Sequence, residues 1–382
     1  MGSGIAQLAA TYGHSVILHD TRPAALDGAA RSIEKSLARS VEKGRLTVAD
    51  AGAARNRITL EGAHAGDTSS LEMFRDCALV IEAVVEDLGV KRDLFARLES
   101  VLADDAILGT NTSSLSVTGI ASGCKHPERV VGIHFFNPPT VLPLVEIVAG
   151  LVTDPSVTSQ VRDLIDKWGK TTVLASDTPG FIVNRIARPF YGEALRIYEE
   201  GIADFATIDW AMRELGGFKM GPFELMDFIG NDINYSATRS VFEATYFDPR
   251  YKPFLTQQRL FEAGFLGKKT GRGYYDYTPG ATMPLPAADR ALGQSILDRI
   301  LAMLINEAAD AVLFRIASAE DIDLAMTKGV NYRKGLLTWA DELGIPTVLL
   351  RLETLQAEYG EDRYRPSALL RRMAVSGATF IR

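Results

Sequence analysis

The sequence predicts an α/β protein in which a doubly wound parallel sheet is followed by two all-helical domains. Three observations carry this. Short apolar, β-rich runs alternate with helical stretches through residues 1–176, and each run ends in turn or polar residues. After Asp177-Thr178-Pro179-Gly180 the pattern becomes helical. The helical stretch then recurs at a fixed offset.

In chain order, residues 5–12 form a helix stopped by Gly13, and 14–19 (HSVILH) form a strand that ends at Asp20. A helix followed by a strand ending in an acid is the second half of a dinucleotide-binding βαβ unit, a Rossmann-like arrangement. Its acid hydrogen-bonds the adenosine ribose and favours NAD over NADP. A plain turn residue would also account for Asp20. Residues 24–43 read as a long helix of mixed charge. Residues 78–85 (ALVIEAVV) form a buried strand followed by Glu86, and Lys91 opens the next helix. Glu82 is an acid within that apolar run and needs a partner that the sequence does not name.

Residues 106–109 and 130–136 are buried strands. They open into Thr110-Asn111-Thr112-Ser113-Ser114 and Asn137-Pro138-Pro139, respectively. Ligands of open α/β sheets sit beyond the carboxyl ends of strands, so hydroxyls and His134 gather where a site belongs. A third apolar run, 144–148, holds Glu146, and a Pro-containing reversal lets Glu146 and His134 face each other. A carboxylate beside an imidazole orients the ring and favours its protonated form, which makes a general base. A satisfied core pair explains the two residues equally well. A helix over 152–167 and a last strand over 171–175 complete the sheet.

The chain has 382 residues, enough for two or three domains with sizeable cores. A net charge of −7 argues against a nucleic-acid partner. Cys77 and Cys124 give no disulfide framework and fit a reducing cytosol, so a cytoplasmic location is expected. The longest apolar run, 141–152, contains Pro143 and Glu146 and falls short of a membrane span. No charged n-region opens the chain, and Ala6 breaks a myristoylation pattern, so neither a secretory signal nor a lipid anchor is expected.

Past the boundary, 181–200 and 204–215 read as helices, and Asn184 lies inside the first, where capping is not its task. Pro279, Pro284 and Pro286 mark a linker. Then Asn184-Arg185-Ile186 aligns with Asp298-Arg299-Ile300, Glu193-Ala194 with Glu307-Ala308, and Ile208-Asp209 with Ile322-Asp323. Gly221 aligns with Gly335, Asp227 with Asp341 and Gly230 with Gly344, always 114 residues apart. This is a duplication. The expected domains are 1–176, 177–278 and 290–382, joined across a linker at 279–289.

The runs NTSSLSVTGIAS, GIHFFNPP and LVEIV resemble the L-3-hydroxyacyl-CoA dehydrogenase family over nearly the whole chain. The resemblance implies a Rossmann-like domain followed by two helical domains of the 6-phosphogluconate-dehydrogenase-like kind. It implies catalysis by His134, Glu146, Ser113 and Asn184. NAD is the implied cofactor, with Gly2, Asp20, Glu86, Lys91, Ser113, Asn137 and Lys269 on its side. An acyl-CoA is the implied substrate, with Ser36, Lys43, Ser113 and Asn184 toward it, and no metal is implied. Gly2 would be the last glycine of the phosphate-binding fingerprint and Gly4 a packing glycine. Family members carry a strand and glycine turn before this point, so a start upstream of Met1 is expected.

The duplicated helical domain looks most like bacterial enzymes of phenylacetate breakdown acting on 3-hydroxyadipyl-CoA, with 3-hydroxybutyryl-CoA and fatty acid oxidation as the alternative. For a distal carboxylate the sequence offers Arg185 and Arg188 without choosing between them. The resemblance also implies a homodimer or homo-oligomer through helical domains, with copy two as a packing partner. A non-catalytic NAD- or CoA-binding protein, or a crystallin-like one, on the same fold is the rival reading, and a sugar-acid dehydrogenase is another.

Overall fold

A computed structural model describes residues 1–62 and 68–381. The chain divides into two compact units, Met1–Asp177 and Thr178–Arg382.

The first unit runs α1 (Gly2–Thr11), β1 (Val16–Asp20), α2 (Pro23–Glu42), α3 (Val48–Asn56), β2 (Ile58–Gly62), β3 (Leu79–Glu82), α4 (Leu88–Glu99) and β4 (Ile107–Thr110). It continues with α5 (Val117–Ala121), β5 (Val130–Phe135), β6 (Leu144–Ala149), α6 (Pro155–Lys167) and β7 (Thr171–Ser176). β1 and β2 form a parallel pair, and β3-β4-β5-β6-β7 form a separate five-stranded sheet. Among the described residues, the second edges of β1 and β3 carry no ladder partner. Every residue of β5 is buried, as is β6 up to its last residue. Ile5 and Leu8 of α1 and Val161 and Ile165 of α6 pack with Ile133 and Ile147 in one core cluster. These strands are apolar runs, as sheets covered on both faces require, interrupted by His134 in β5 and Glu146 in β6.

The structure departs from the expected all-parallel sheet at one pair: β6 runs antiparallel to β5. Residues 136–143 between them are too few for the crossover that a parallel connection needs. The strand β2 and helix α3 also escape the sequence reading. β2 is a short strand with one buried residue, too brief for a period to show.

The second unit contains α7 (Val183–Ile186), α8 (Arg188–Glu199), α9 (Phe205–Trp210), α10 (Pro222–Ile229), α11 (Asn231–Ala244) and α12 (Leu255–Glu262). It continues with α13 (Arg290–Leu313), α14 (Ala319–Gly329), α15 (Leu336–Leu343), α16 (Ile345–Tyr359) and α17 (Ala368–Ser376). The single helix expected over 181–200 is broken between α7 and α8. Pro189 supplies no N–H and its ring crowds the preceding turn, which ends a helix there. The repeat partner of Pro189 is Met303, and α13 passes through that position unbroken.

The duplication repeats contact for contact. Asp209 accepts the N–H groups of Phe223 and Glu224 at 2.9 Å each. Asp323 accepts those of Leu337 and Thr338 at 2.8 Å each. In both copies the aspartate caps the helix that follows, and a glycine makes room for it. A Cβ on Gly221 would lie 2.3 Å from Asp209 Oδ1, and one on Gly335 would lie 2.1 Å from Asp323 Cγ.

The two copies also embrace reciprocally. Glu193 of α8 accepts from Arg299, Arg363 and Tyr364 of copy two at 3.1, 2.6 and 3.0 Å. Glu307 of α13 accepts from Arg185 at 2.7 Å and from Tyr251, and lies 3.5 Å from Arg250, all of copy one. Each glutamate is fully buried and takes the same set, Arg, Arg and Tyr, from the other copy. That is the signature of an isologous, two-fold contact, here made within one chain.

Candidate active site

The antiparallel register puts His134 directly opposite Glu146. His134 Nδ1 lies 2.6 Å from Glu146 Oε2, and both side chains are buried. The carboxylate holds the proton on Nδ1, so Nε2 carries the basic lone pair. The pair sits near the carboxyl end of β5, beside the carboxyl end of β4.

The loop after β4 is pinned from below. Glu86 Oε1 accepts the Thr112 hydroxyl at 2.6 Å, the Ser113 N–H at 3.1 Å and the Ser114 hydroxyl at 3.0 Å. Burial opposes ionisation of Glu86. The Thr112 hydrogen bond, the Lys91 ammonium and the Ser113 N–H outweigh it and hold the carboxyl below its ordinary value. Lys91 is buried and lies 2.7 Å from Glu82 and 3.1 Å from Glu86. Thr110 donates to Glu82 at 2.7 Å. The partner that Glu82 requires is thus Lys91, nine residues on. Lys91 therefore joins Glu82 of β3 to Glu86, the residue that pins the loop after β4. The sequence reading also passed over Asn111, whose side-chain oxygen accepts the Phe135 N–H at 2.9 Å and ties the end of β4 to β5.

Asn137 is exposed at the start of the loop leaving β5. Lys170 crosses beneath this loop and donates to the Pro139 carbonyl and, at 2.8 Å, to that of Leu142. Burial pushes the Lys170 ammonium down to about 8. The same loop touches α1, since a Cβ on Gly4 would lie 3.0 Å from Pro139 Cδ.

Three features suit a dinucleotide. The N-terminus of α1 at Gly2 has no side-chain cap, leaving its N–H groups for a phosphate. Asp20 ends β1 with its Oδ1 occupied by the Arg22 N–H at 2.9 Å, while its Oδ2 has no protein partner among the described residues. Exposed Val84 and Val85 follow β3, an apolar surface for a ring. The chemistry of this set, an uncapped helix N-terminus, a strand-ending carboxylate and an apolar strand end, fits NAD. Ser36 is half-buried on α2, and Lys43 is exposed at its C-terminal end.

In the second unit, Asn184 lies on α7 and its carbonyl accepts Arg188 Nε at 2.7 Å. Lys269 is exposed and pairs with Asp232 at 2.5 Å. Arg185, one of the two arginines offered for a distal carboxylate, is committed to Glu307.

Comparisons with known proteins show which family the chain resembles. The 3-hydroxyacyl-CoA dehydrogenase NAD-binding domain matches residues 1–178. The C-terminal domain of the same family matches twice, over 180–277 and 296–379. The 3-hydroxyadipyl-CoA dehydrogenase of Escherichia coli is 38% identical over 98% of this chain and 95% of its own. A probable 3-hydroxybutyryl-CoA dehydrogenase of Bacillus subtilis is 39% identical over 72% of this chain and 94% of its own. The crystal structure of 3-hydroxybutyryl-CoA dehydrogenase from Escherichia coli K12 superposes with a TM-score of 0.92 at 37% identity, covering 99% of this chain and 97% of that one. With both domain types matched over almost its full length, the chain belongs to the 3-hydroxyacyl-CoA dehydrogenase family.

Proposed function

We propose that this protein oxidises the 3-hydroxyl of an L-3-hydroxyacyl-CoA to the 3-oxoacyl-CoA. The observation that carries the reading is the buried His134–Glu146 pair, 2.6 Å apart, at the strand ends where Ser113 also sits. His134 Nε2 takes the hydroxyl proton as the C–O bond becomes C=O. Glu146 balances the positive charge that the ring gains. NAD, when bound, supplies the acceptor for the hydride leaving C3. Ser113 and Asn184 hold the hydroxyl and thioester oxygens, while Ser36 and Lys43 meet coenzyme A. Gly2, Asp20, Glu86, Asn137 and Lys269 serve the cofactor, with Lys91 acting through Glu86.

The relatives' names span a dicarboxylic and a plain acyl group, so we take substrates of four to six carbons, 3-hydroxybutyryl-CoA and 3-hydroxyadipyl-CoA, as the range. We further read 290–382 as a packing partner for 177–278. The repeat partner of Asn184 is Asp298, which is engaged by Arg351 at 2.9 Å in a structural ion pair.

The test is NADH formation from L-3-hydroxybutyryl-CoA and L-3-hydroxyadipyl-CoA, with His134→Ala as control. Turnover that His134→Ala abolishes is expected. A folded chain that forms no NADH from either substrate at saturating NAD overturns the reading.

A further inference from the structure

Asn111 is the residue at which the chain leaves β4. The ladder between β4 and β5 ends at the pair Thr110 and Gly132, while β5 runs on through Ile133, His134 and Phe135. On its other side β5 stays paired with β6 as far as Phe135 and Val145. The end of β5 that carries His134 therefore has a strand ladder on one side only. On the β4 side, Asn111 Oδ1 accepts the Phe135 N–H at 2.9 Å, across 24 residues of sequence. The side chain stands in for the backbone carbonyl that a longer β4 would present. Phe135 is buried, and a buried N–H needs such a partner.

The main chain of Asn111 is fixed as well. Its N–H donates to the Glu82 carbonyl at 2.8 Å, which keeps it joined to the end of β3. Glu82 is in turn held by Lys91 and by the Thr110 hydroxyl, both at 2.7 Å. The loop that follows is fastened at two further points. Glu86 takes Thr112, Ser113 and Ser114. Asp177, just past β7, accepts the Ser116 hydroxyl at 2.7 Å and the Val117 and Thr118 N–H groups at 2.9 and 2.8 Å. These ties fix the Ser113 loop to the ends of β3 and β7, and none of them involves β5. The Asn111 side chain supplies that link. It stands two residues before Ser113 and grips the residue that follows His134.

We propose that Asn111 is a positioning residue for the reaction, setting His134 against Ser113 by fixing the end of β5 to the loop after β4. The proposal rests on the reading above that His134 is the base and that Ser113 holds the substrate hydroxyl. Glu146 orients the imidazole through Nδ1, and Asn111 fixes the main chain from which the imidazole projects. Without the Asn111 oxygen, the Phe135 N–H turns to water. The strand end bearing His134 then shifts against a loop that Glu86 and Asp177 keep in place. A misplacement of about 1 Å between reacting groups costs on the order of 100-fold in rate. The tie touches the spacing of base and hydroxyl, so proton transfer slows while cofactor and substrate still bind.

The experiment measures NADH formation from L-3-hydroxybutyryl-CoA and L-3-hydroxyadipyl-CoA by two variants of the full chain. Asn111→Leu keeps the bulk of the side chain without its oxygen, and Asn111→Asp keeps an acceptor oxygen there. Asn111→Leu is expected to lower kcat about 10- to 100-fold, with KM for NAD and for the acyl-CoA within about three-fold of the parent. Asn111→Asp is expected to bring kcat back to within about five-fold of the parent. If circular dichroism shows that Asn111→Leu does not fold, Asn111→Ala takes its place, leaving room for a water at the Phe135 N–H. A double-variant cycle separates positioning from a general loosening of the fold. Glu146 and Asn111 both act through His134, so Asn111→Leu added to Glu146→Gln is expected to cost less than about three-fold more. A kcat for Asn111→Leu within about three-fold of the parent, an Asn111→Asp no faster than Asn111→Leu, or the same fold-loss in both backgrounds overturns the role and leaves the dehydrogenase reading intact. A folded parent that oxidises neither substrate counts against the dehydrogenase reading itself.

Discussion

The carboxylate of Glu146 is placed to stabilise charge on the His134 ring. Glu146→Gln keeps the shape and removes the charge. Its kcat should fall about 100-fold or more, with the KM for NAD little changed, and a kcat within about three-fold of the parent by steady-state assay would refute the role. Glu86 makes a pH-dependent prediction. Its carboxyl is held below the ordinary value, so its contribution to stability is present above pH 4.5 and is lost as the pH falls through the lower folded value. The melting temperature of Glu86→Gln should therefore trail the parent at neutral pH and converge with it in acid. A constant gap across a thermal-shift series would contradict this. The facing of His134 and Glu146 was legible in the sequence, because a Pro-containing reversal separates the two apolar runs that hold them, whereas Ser113 was singled out by the family resemblance. The Lys91–Glu82 pair was not, since Glu82 was marked as needing a partner but nothing in the sequence named Lys91, nine residues on, before α4 folds back on β3. Arg188 could be read only as one of two arginines, because that it meets no carboxylate among the described residues follows from where Glu307 and Asp310 spend theirs.

At the scale of elements, the loop joining β5 to β6 matters most, because it follows His134 and is stitched by Lys170. Burial lowers the Lys170 ammonium from 10.5 to about 8. The folded protein therefore sheds this proton before the unfolded chain does, and the group's contribution to stability rises with pH across that window. Lys170→Met should abolish the rise in a series of melting curves from pH 7 to 10.5. It should also lower kcat/KM by about 10-fold, as the loop loses its anchor and the positioned groups loosen. Unchanged kinetics would show that the loop is held by other means. The antiparallel course of β6 agrees with the Pro-containing reversal read before it and follows from the brevity of this loop, which the expectation of a parallel sheet did not take into account. The break between α7 and α8 was signalled by Pro189 alone, a local residue that overrode an otherwise continuous helical pattern.

Across the whole molecule, the helical duplication was plain at an offset of 114, yet its energetic centre was hidden. Arg250-Tyr251 and Arg363-Tyr364 are counterparts separated by 113 residues, so a gap-free comparison pairs Arg250 with Tyr364 and misses the symmetry. Breaking either cluster should be severe. Glu193→Gln or Glu307→Gln leaves two buried guanidiniums facing a neutral amide, and each should cost about 3–5 kcal/mol. Urea unfolding of the two variants should give similar losses, and a marked inequality would argue against equivalent roles. A joint of this kind between separate subunits comes apart on dilution, because association must offset lost translational freedom. Here residues 279–289 tether the halves, so each meets its mate at an effective concentration set by the linker instead of by the solution. The embrace of Glu193 and Glu307 should persist at nanomolar protein. The two halves are also released from sameness: a substitution in one is no longer copied into the other, so copy one can carry Asn184 where copy two carries Asp298.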